Sequence, residues 1–398
     1  MTRDRFTWLA YGQLSAFGYF FYGFGPVVPL LLQEQHTSRG VAGLHGTGFA
    51  VGGVVCGALA PWVVRRFGRR AAMWAALGGM SAGALGFWAA HPLWATLSLA
   101  VVTSAFGTLV VIIAMAGLSD HHGPAGPAAL SEANALAAGV GLVAPLAVGA
   151  TVAAGWGWRP GLAVVVPLVA LLALAAFLFR VPVPAARPVP PSTTAGRLPR
   201  RYRLAWCCVL CTGSVEVCLN LWVADVLRSH SHAPAAVATA ALSAVVGGMC
   251  AGRFLGSRLL LRRPTPWVLL GALAVSATGF AVFWSAPVLW VAVTGLVILG
   301  LGNSVHFPAG IALAVAHSGG QPDLAVSRAS YATAVSFGVA PFLLGLLADG
   351  VGPHTAFLLV PVFLVGAATV AWRLRRYPAT VPAPAPADES AAAALGSV

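Results

Sequence analysis

One carboxyl group stands alone in the middle of a long apolar stretch of this sequence. Glu216 lies twelve residues after Leu204 and ten before Val226, the two ends of that stretch. A helix rises about 1.5 Å per residue, so this carboxyl would lie near the middle of a membrane-spanning helix. A charge there costs about 2.5 to 3.5 kcal/mol, and burial favours the neutral carboxyl. Glu216 is therefore our first candidate for a group that takes up and releases a proton, the alternative being a carboxyl that joins helices by hydrogen bonds.

Three other polar residues could act with Glu216 or lie near it. Asn220 follows four residues later on the same helical face and could bind the carboxyl or a solute. Arg253, in another apolar stretch, differs in depth from Glu216 by only about 6 Å, so the two could form a proton-coupling ion pair that would favour anionic solutes. Without that pair, Arg253 would extend back to the membrane surface. Asp225 is interpreted as a solvated residue at the outer end of its helix.

A further set of polar and aromatic residues could line a solute cavity. Asn303 and His306 are three residues apart and share a helical face. Taken singly, a residue of this kind packs between helices or bonds a neighbour more often than it binds a solute. The candidates for solute binding are Gln13, Tyr19, Tyr22, Asn220, Trp222, Asn303 and His306.

The elements that must position these residues are membrane helices. Hydrophobic residues make up 59% of the chain and charged residues only 8%, against about 25% charged in soluble proteins. The mean hydropathy is +0.85. Repeated apolar runs of about 18 residues or more predict an all-α integral membrane protein and argue against a β-barrel, whose strands would be short and alternating.

Composition also excludes several chemistries. All 23 basic residues are arginine, so there is neither a phosphate-loop lysine for ATP nor a lysine for a Schiff base. The six cysteines lie in apolar stretches with poor spacing for a metal, and no His-Glu-x-x-His or Gly-x-Ser-x-Gly pattern occurs. We expect no cofactor, no metal and no enzymatic activity. The formal charge of +13 reflects arginines in short loops, and we expect no nucleic-acid partner.

Apolar runs separated by turn and charge signals predict twelve spans in two halves. The N-terminal half covers residues 1–180 and the C-terminal half 204–376, with a cytoplasmic Pro- and Arg-rich linker at 181–203 and a disordered tail at 377–398. The predicted spans lie near 6–31, 41–62, 71–89, 93–118, 130–152, 161–180, 204–226, 236–261, 267–286, 288–314, 328–348 and 354–374.

Two short patterns recur at nearly the same distance. Val-Gly-Gly-x-x-x-Gly begins at Val51 and again at Val246, 195 residues later. Val-Ala-Pro-x-x-x-Gly begins at Val143 and again at Val339, 196 residues later. Because six is an even number of spans, the two halves keep one orientation, which predicts a parallel repeat about an axis along the membrane normal.

Arginine positions predict the orientation in the membrane. Most arginines lie at the two ends of the chain or between even- and odd-numbered spans on one side, whereas the opposite loops hold only Arg39, Arg159 and Arg228. The positive-inside rule then puts both termini in the cytoplasm of a multi-pass protein of the cell inner membrane.

At these residues the chain resembles the major facilitator superfamily over essentially its whole length. Members carry an Asp-Arg-x-Gly-Arg-Arg loop after the second span, and the segment 66–70 (Arg-Phe-Gly-Arg-Arg) matches its later part. Arg65 takes the acidic position that the family uses in the charge relay closing the cytoplasmic side. Gly141, Pro145 and Gly149, followed by Gly-Trp-Gly-Trp-Arg at 155–159, are similar to the drug/proton antiporter motif.

The resemblance implies a central cavity, lined by the first, fourth, seventh and tenth helices, that opens alternately to each side as the halves rock. The candidates for gating are Gly68, Arg69, Arg70, Glu132, Asn134, Pro145 and Pro341. For Glu132 and Asn134, capping of the fifth span is the alternative role.

The resemblance also sets the functional prediction, a secondary active transporter that exports a small organic compound in exchange for protons. One proton crossing about 100 mV supplies roughly 2.3 kcal/mol, enough for about a fifty-fold solute gradient. The alternatives are proton-symport uptake of a sugar or organic acid and a non-transporting membrane receptor. The expected partners are the solute, protons and the lipid bilayer, and we expect a monomer.

Overall fold

The computed structural model describes residues 2–182 and 197–377, and the regular structure of these residues is helical throughout. The N-terminal half contains α1 (Arg5–Phe24), α2 (Val28–Glu34), α3 (Arg39–Ala89), α4 (Leu93–His122), α5 (Gly126–Ala153), α6 (Arg159–Ala163) and α7 (Val165–Leu178). The C-terminal half contains α8 (Arg200–His230), α9 (Ala235–Ala240), α10 (Leu242–Arg262), α11 (Thr265–Trp284), α12 (Leu289–Ala316), α13 (Pro322–Val351), α14 (Pro353–Ala356) and α15 (Leu359–Leu374). Most of the predicted linker and the predicted tail lie outside the described residues.

Twelve membrane spans follow from these helices. Eleven helical segments of the described chain are long and apolar enough to cross a membrane, and α3 has 51 residues. At about 1.5 Å per residue α3 is more than twice as long as the roughly 30 Å hydrocarbon core is thick. Its helix is interrupted at Gly68, whose φ of 79° and ψ of 157° favour glycine. Two spans therefore meet at Gly68, and the predicted all-α fold of twelve spans is confirmed.

Several helices are longer or more broken than the apolar runs predicted. The second and third spans run almost into each other at Gly68, because helix continues through the polar loop that separates their apolar parts. The first span changes to a short 3-10 segment at Gly25–Val27, where Pro26 has no backbone N–H to donate. Helix ends extend beyond the hydrocarbon region because water can satisfy the last backbone groups there.

Two long seams join the halves. The first part of α3 packs along α13, and α5 packs along α9 and α10. These seams pair span two with span eleven and span five with span eight. In a parallel repeat, span eight is the equivalent of span two and span five the equivalent of span eleven, so the two seams are equivalent. Gly52 packs directly against Val101, and Gly248 packs in the same way against Val297, both residues of this second contact lying 196 positions later. Both the pairing and the glycine contacts fit the two-half architecture.

Candidate functional site

One end of the bundle is closed by a clamp between the halves. With twelve spans, Arg5 and Leu374 lie at the same face, here named the terminal face, and the opposite one is the distal face. At the distal face the backbone N–H groups of Arg39 and Gly40 donate to the two carboxylate oxygens of Asp349, both at 2.8 Å. Arg39 Nε also donates to Asp225 Oδ2 at 2.7 Å. Arg39, Asp225 and Asp349 are named the distal clamp.

The distal clamp corrects our interpretation of Asp225. Instead of a solvated position, its side chain is only 7% exposed and is ion-paired with Arg39. The carboxylate of Asp349 accepts from the first N–H groups of α3, where the helix dipole favours negative charge. The clamp connects an arginine of the N-terminal half to two acids of the C-terminal half.

The two seams continue the closure inward from the clamp. Thr47 Oγ1 donates to the carbonyl oxygen of Gly338 at 2.6 Å across the seam between α3 and α13. Ser243 Oγ donates to the carbonyl oxygen of Leu142 at 2.8 Å across the other seam. Gly43 of α3 leaves no space for a side chain against Phe342. The distal half of the interface is therefore tightly packed.

The terminal half of the same interface holds a cavity of about 570 Å³. Tyr331 is 52% exposed and Phe307 is 48% exposed, so the cavity is open rather than sealed. Its walls come from α1, α3 and α4 on one side and from α12 and α13 on the other. They are formed by Phe17, Phe21, Phe49, Ala50, Gly53, Val54, Gly57, Ala58, Ser104, Thr108, Val111, Phe307, Ser327, Ser330, Tyr331, Thr333, Ala334 and Phe337.

The chemistry of this aromatic cavity is apolar with scattered hydroxyl groups. None of its lining residues carries a formal charge at neutral pH. Phe21 and Phe337 stack across the halves with ring centroids 5.8 Å apart. Rings of this kind bind flat apolar surfaces, and the hydroxyl groups can each exchange a hydrogen bond with a solute.

A second group of residues, named the central cluster, contains Tyr22, Asn134, Glu216 and Arg253. Tyr22 Oη donates to Glu216 Oε1 at 3.4 Å, and Arg253 Nη1 donates to the carbonyl oxygen of Asn134 at 3.0 Å. Tyr22 and Asn134 belong to the N-terminal half and the other two to the C-terminal half. Both hydrogen bonds therefore cross between the halves.

Of the two roles considered for Arg253, the ion pair with Glu216 is not formed at contact distance. No nitrogen of Arg253 lies within 4.0 Å of a carboxylate oxygen of Glu216, both being in the described part of the chain. The two groups are still close enough to interact electrostatically. Arg253 instead donates to the carbonyl oxygen of Asn134. It could exchange this hydrogen bond for an ion pair with Glu216.

Of the other predicted solute-binding residues, only Asn220 lies next to the aromatic cavity, and it does not line it. Tyr19 Oη donates to Gly161 O at 2.7 Å and Trp222 Nε1 to Pro341 O at 2.9 Å. Asn303 Nδ2 lies 3.5 Å from Met249 Sδ, and His306 Nε2 lies 3.2 Å from Ser276 Oγ. Gln13 is buried within the N-terminal half. Asn220 packs against Gly25 and borders a small pocket that shares Phe21, Phe49 and Phe337 with the aromatic cavity. None of the seven lines the aromatic cavity.

The predicted gating residues divide between the two faces. Arg69 Nη2 donates to Asp120 Oδ2 at 2.8 Å, and Arg70 is exposed. Glu132 receives two hydrogen bonds from Arg3, both at 2.8 Å. These ion pairs lie within the N-terminal half, so they join its helices and do not connect the halves.

The two prolines lie inside helices. Pro145 lies within α5, and Pro341 lies within α13, where Gly46 of α3 packs against its ring. Pro341 thus belongs to the seam between α3 and α13.

Sequence reasoning missed the phenylalanines of the cavity. Phe17 and Phe21 are one helical turn apart on α1 and stack with centroids 5.9 Å apart. That spacing was the available signal. In a chain this apolar, however, a phenylalanine is equally expected to face lipid.

Comparison with known proteins identifies the class. The profile of the Major Facilitator Superfamily matches residues 12–263 and 205–397, so the chain belongs to that superfamily and is a multi-pass membrane transporter. No curated protein sequence matches the chain.

Solved structures share the fold at low identity. A bacterial homologue of the human lysosomal transporter Spinster, in an inward-facing and occupied conformation, has a TM-score of 0.72 and 14% identity over 94% of this chain and 98% of its own. A D-xylose–proton symporter has a TM-score of 0.73 and 14% identity over 92% and 96%. A nucleoside transporter has a TM-score of 0.74 and 11% identity over 93% and 98%.

Proposed function

We propose that this transporter exports a small lipophilic aromatic compound from the cytoplasm in exchange for protons. The observation that carries the proposal is the uncharged aromatic cavity, open in the terminal half while the distal clamp is closed. Its volume of about 570 Å³ lies within the range of about 300 to 1,000 Å³ of small-molecule sites. By the positive-inside rule, the arginine distribution indicates that the terminal face is the cytoplasmic one.

The chemistry of the walls favours an uncharged or weakly polar solute. Five phenylalanines line the cavity, together with Tyr331. A sugar would have to exchange its many hydrogen bonds to water for equally many to the protein, and each one left unmade costs about 1 to 3 kcal/mol. An organic acid would need a cation, and none of the described residues that line this cavity is cationic.

Proton coupling is assigned to Glu216 within the central cluster. A protonated Glu216 is neutral and leaves Arg253 bound to the carbonyl oxygen of Asn134. Loss of the proton creates a carboxylate that competes for Arg253 and weakens that bond, because charged partners attract more strongly than a carbonyl does. Protonation of one side chain would thereby change a contact between the halves, which is what coupling requires.

Proton-symport uptake of a sugar is the second candidate. It is favoured by one observation, that structures with this fold include proton symporters of D-xylose and, from E. coli, of fucose. Those proteins are at most 18% identical to this chain, so the likeness extends to the fold only.

Proteoliposomes with an imposed pH gradient separate the two candidates. A panel of neutral aromatic compounds, aromatic cations, organic acids and monosaccharides is first screened by thermal stabilisation of the purified protein. The compound that stabilises best is then supplied outside the vesicles. We expect a neutral aromatic compound and accumulation driven by an acidic interior. Accumulation driven by an acidic exterior would replace exchange by symport, and stabilisation by a monosaccharide alone would overturn the proposed solute class.

A further inference from the structure

A second cavity lies at the terminal face, away from the transport pathway. It is an open surface cavity of about 360 Å³ at the turn between α10 and α11, and it is lined by Leu259, Arg263, Pro264, Trp267 and Val268. The helix α11 begins at Thr265, so the positive end of its dipole lies beside this space, although the N–H groups of Trp267 and Val268 are bonded to the carbonyl oxygen of Pro264. Both the side chain of Arg263 and the helix dipole make the cavity attractive to an anion.

An arginine held between two indole rings forms the neighbouring wall. The Arg375 guanidinium carbon lies 3.1 Å from the ring centroid of Trp372 and 5.0 Å from that of Trp267, which also borders the cavity. The two indoles meet edge to face with centroids 6.1 Å apart. Arg375 Nε is buried and has no acceptor among the described residues. The stacking fixes this cation in place without neutralising it.

Positive charge accumulates around the cavity. Besides Arg263 and Arg375, the segment ends carry three more arginines, Arg262, Arg373 and Arg376. The ion pairs of the described acidic residues are formed with arginines and histidines elsewhere in the fold. None of these five arginines therefore forms an ion pair with a described carboxylate.

We infer that this Trp–Arg cavity binds the phosphate headgroup of an anionic phospholipid from the terminal-face leaflet. Trp267 and Trp372 are 51% and 45% exposed, and tryptophan at the end of a span is typical of the membrane interface, where the ring contacts lipid. Arginine presents several N–H donors in the geometry of a phosphate group. Basic pockets between membrane helices on the cytoplasmic side suit such headgroups. The cavity is large enough for the phosphate and its glycerol.

Native mass spectrometry of the delipidated protein with added phosphatidylglycerol tests this inference. Phosphatidylcholine with the same acyl chains controls for the apolar tails, and soluble glycerol phosphate controls for a free anion. The variant R263Q/R375Q removes the arginine that lines the cavity and the neighbouring arginine stacked between the indoles. The control R65Q/R66Q removes two arginines from the other half at the same face, so that the net charge changes equally.

We expect phosphatidylglycerol to bind the parent and the control with similar affinity and to bind R263Q/R375Q at least ten-fold more weakly. Equal loss in the control would reduce the effect to general electrostatic attraction, and equal binding of phosphatidylcholine would reduce it to tail contacts. Binding of glycerol phosphate as tightly as the lipid would make the ligand a soluble anion. Each of these outcomes overturns the inference. Arg263 is exposed and has no described side-chain partner, so Arg263→Gln alone, with a smaller loss, serves if the double variant misfolds.

Discussion

At the scale of single residues, the central cluster concentrates the unusual chemistry of this chain. Glu216 and Arg253 come from the C-terminal half, whereas Tyr22 and the carbonyl of Asn134 come from the other half. A carboxyl within a membrane is costly, which is why one sequence sufficed to single out Glu216. The partners were harder to predict, because a tyrosine and a backbone carbonyl leave no comparable signature in an apolar sequence.

Glu216→Gln tests the proton role directly. The amide can keep a hydrogen bond to Tyr22 but cannot exchange a proton, so we expect uphill transport to be lost while binding and exchange at equal solute concentrations persist. Solute-driven proton movement, followed with a pH-sensitive dye inside proteoliposomes, should fall to the level of empty vesicles. Glu216→Asp, which keeps a titratable carboxyl, should retain part of it. Uphill transport by the glutamine variant at the parental rate would contradict the assignment.

Phe337→Ala tests the aromatic cavity. The ring of Phe337 lines the cavity and stacks on Phe21 across the halves. A solute ring that stacks on Phe337 gains about 0.5 to 1.5 kcal/mol beyond the area it buries. Binding of the best aromatic compound should weaken by roughly two- to thirteen-fold by titration calorimetry. Phe177 is 79% exposed on α7 and lies outside the cavity, so Phe177→Ala should bind like the parent. Equal losses in both variants would remove the cavity from the proposal.

The cavity marks the limit of residue-level prediction. In the sequence, nothing distinguishes Phe17, Phe49 and Phe307 from phenylalanines that face lipid. Hydrophobic patterning separates water from lipid but does not separate lipid from an apolar cavity. The polar residues chosen instead, such as Tyr19 and His306, are hydrogen-bonded within their own halves, because a polar group in a membrane needs a nearby partner.

At the scale of helices, the start of α3 is where the halves are held. Asp349 occupies the position of a capping group for that helix, although it belongs to a different half of the molecule. A capping carboxylate stabilises a helix start by about 0.5 to 2 kcal/mol. Here the same energy favours the conformation with the distal face closed.

Asp349→Ala should therefore shift the protein toward the conformation open at the distal face. The expected change in population is about two- to thirty-fold, from the free energy of a capping group. It can be measured as faster labelling of Thr47→Cys by an impermeant thiol reagent, added at the distal side of a variant without its native cysteines. Asp349→Glu, which keeps the charge, should label at close to the starting rate. Unchanged labelling of the alanine variant would rule out the clamp as a determinant of closure.

Gly52 should be as important for packing as its repeat suggests. A methyl group there would collide with the backbone of α4 at Val101, and overpacking costs about 1 to 3 kcal/mol. Gly52→Ala should lower the melting temperature of the purified protein. Gly78→Ala, in the same helix with open space around the added carbon, should leave it unchanged or raise it, because alanine favours helix over glycine. The opposite order would show that the contact is not tight.

At the scale of the whole molecule, the repeat was predictable and the conformation was not. The patterns beginning at Val51 and Val143 recur because each half buries the same close helix contacts. Which face is closed depends on contacts between the halves, and these change when the halves rock while the sequence of each helix stays the same. The acids of the distal clamp, Asp225 and Asp349, could not be paired with Arg39 from sequence, since more than 100 residues separate each of them from it.

The halves are held together at the distal face by the distal clamp, whereas the cavity in the terminal half is open, and this difference affects the rate of opening. In the seam between α3 and α13, Gly43 and Gly46 bring α3 against the backbone and the proline ring of α13. Few large side chains must therefore move past one another when these helices separate. The activation barrier to opening would then come chiefly from a few charge-assisted hydrogen bonds around Arg39. The contribution of the bond from Arg39 to Asp225 changes little with ionic strength, because the carboxylate of Asp225 is shielded from solvent ions, whereas Asp349 is exposed. One substitution in the distal clamp could therefore make opening of the distal face faster or slower, without altering the aromatic cavity that selects the solute.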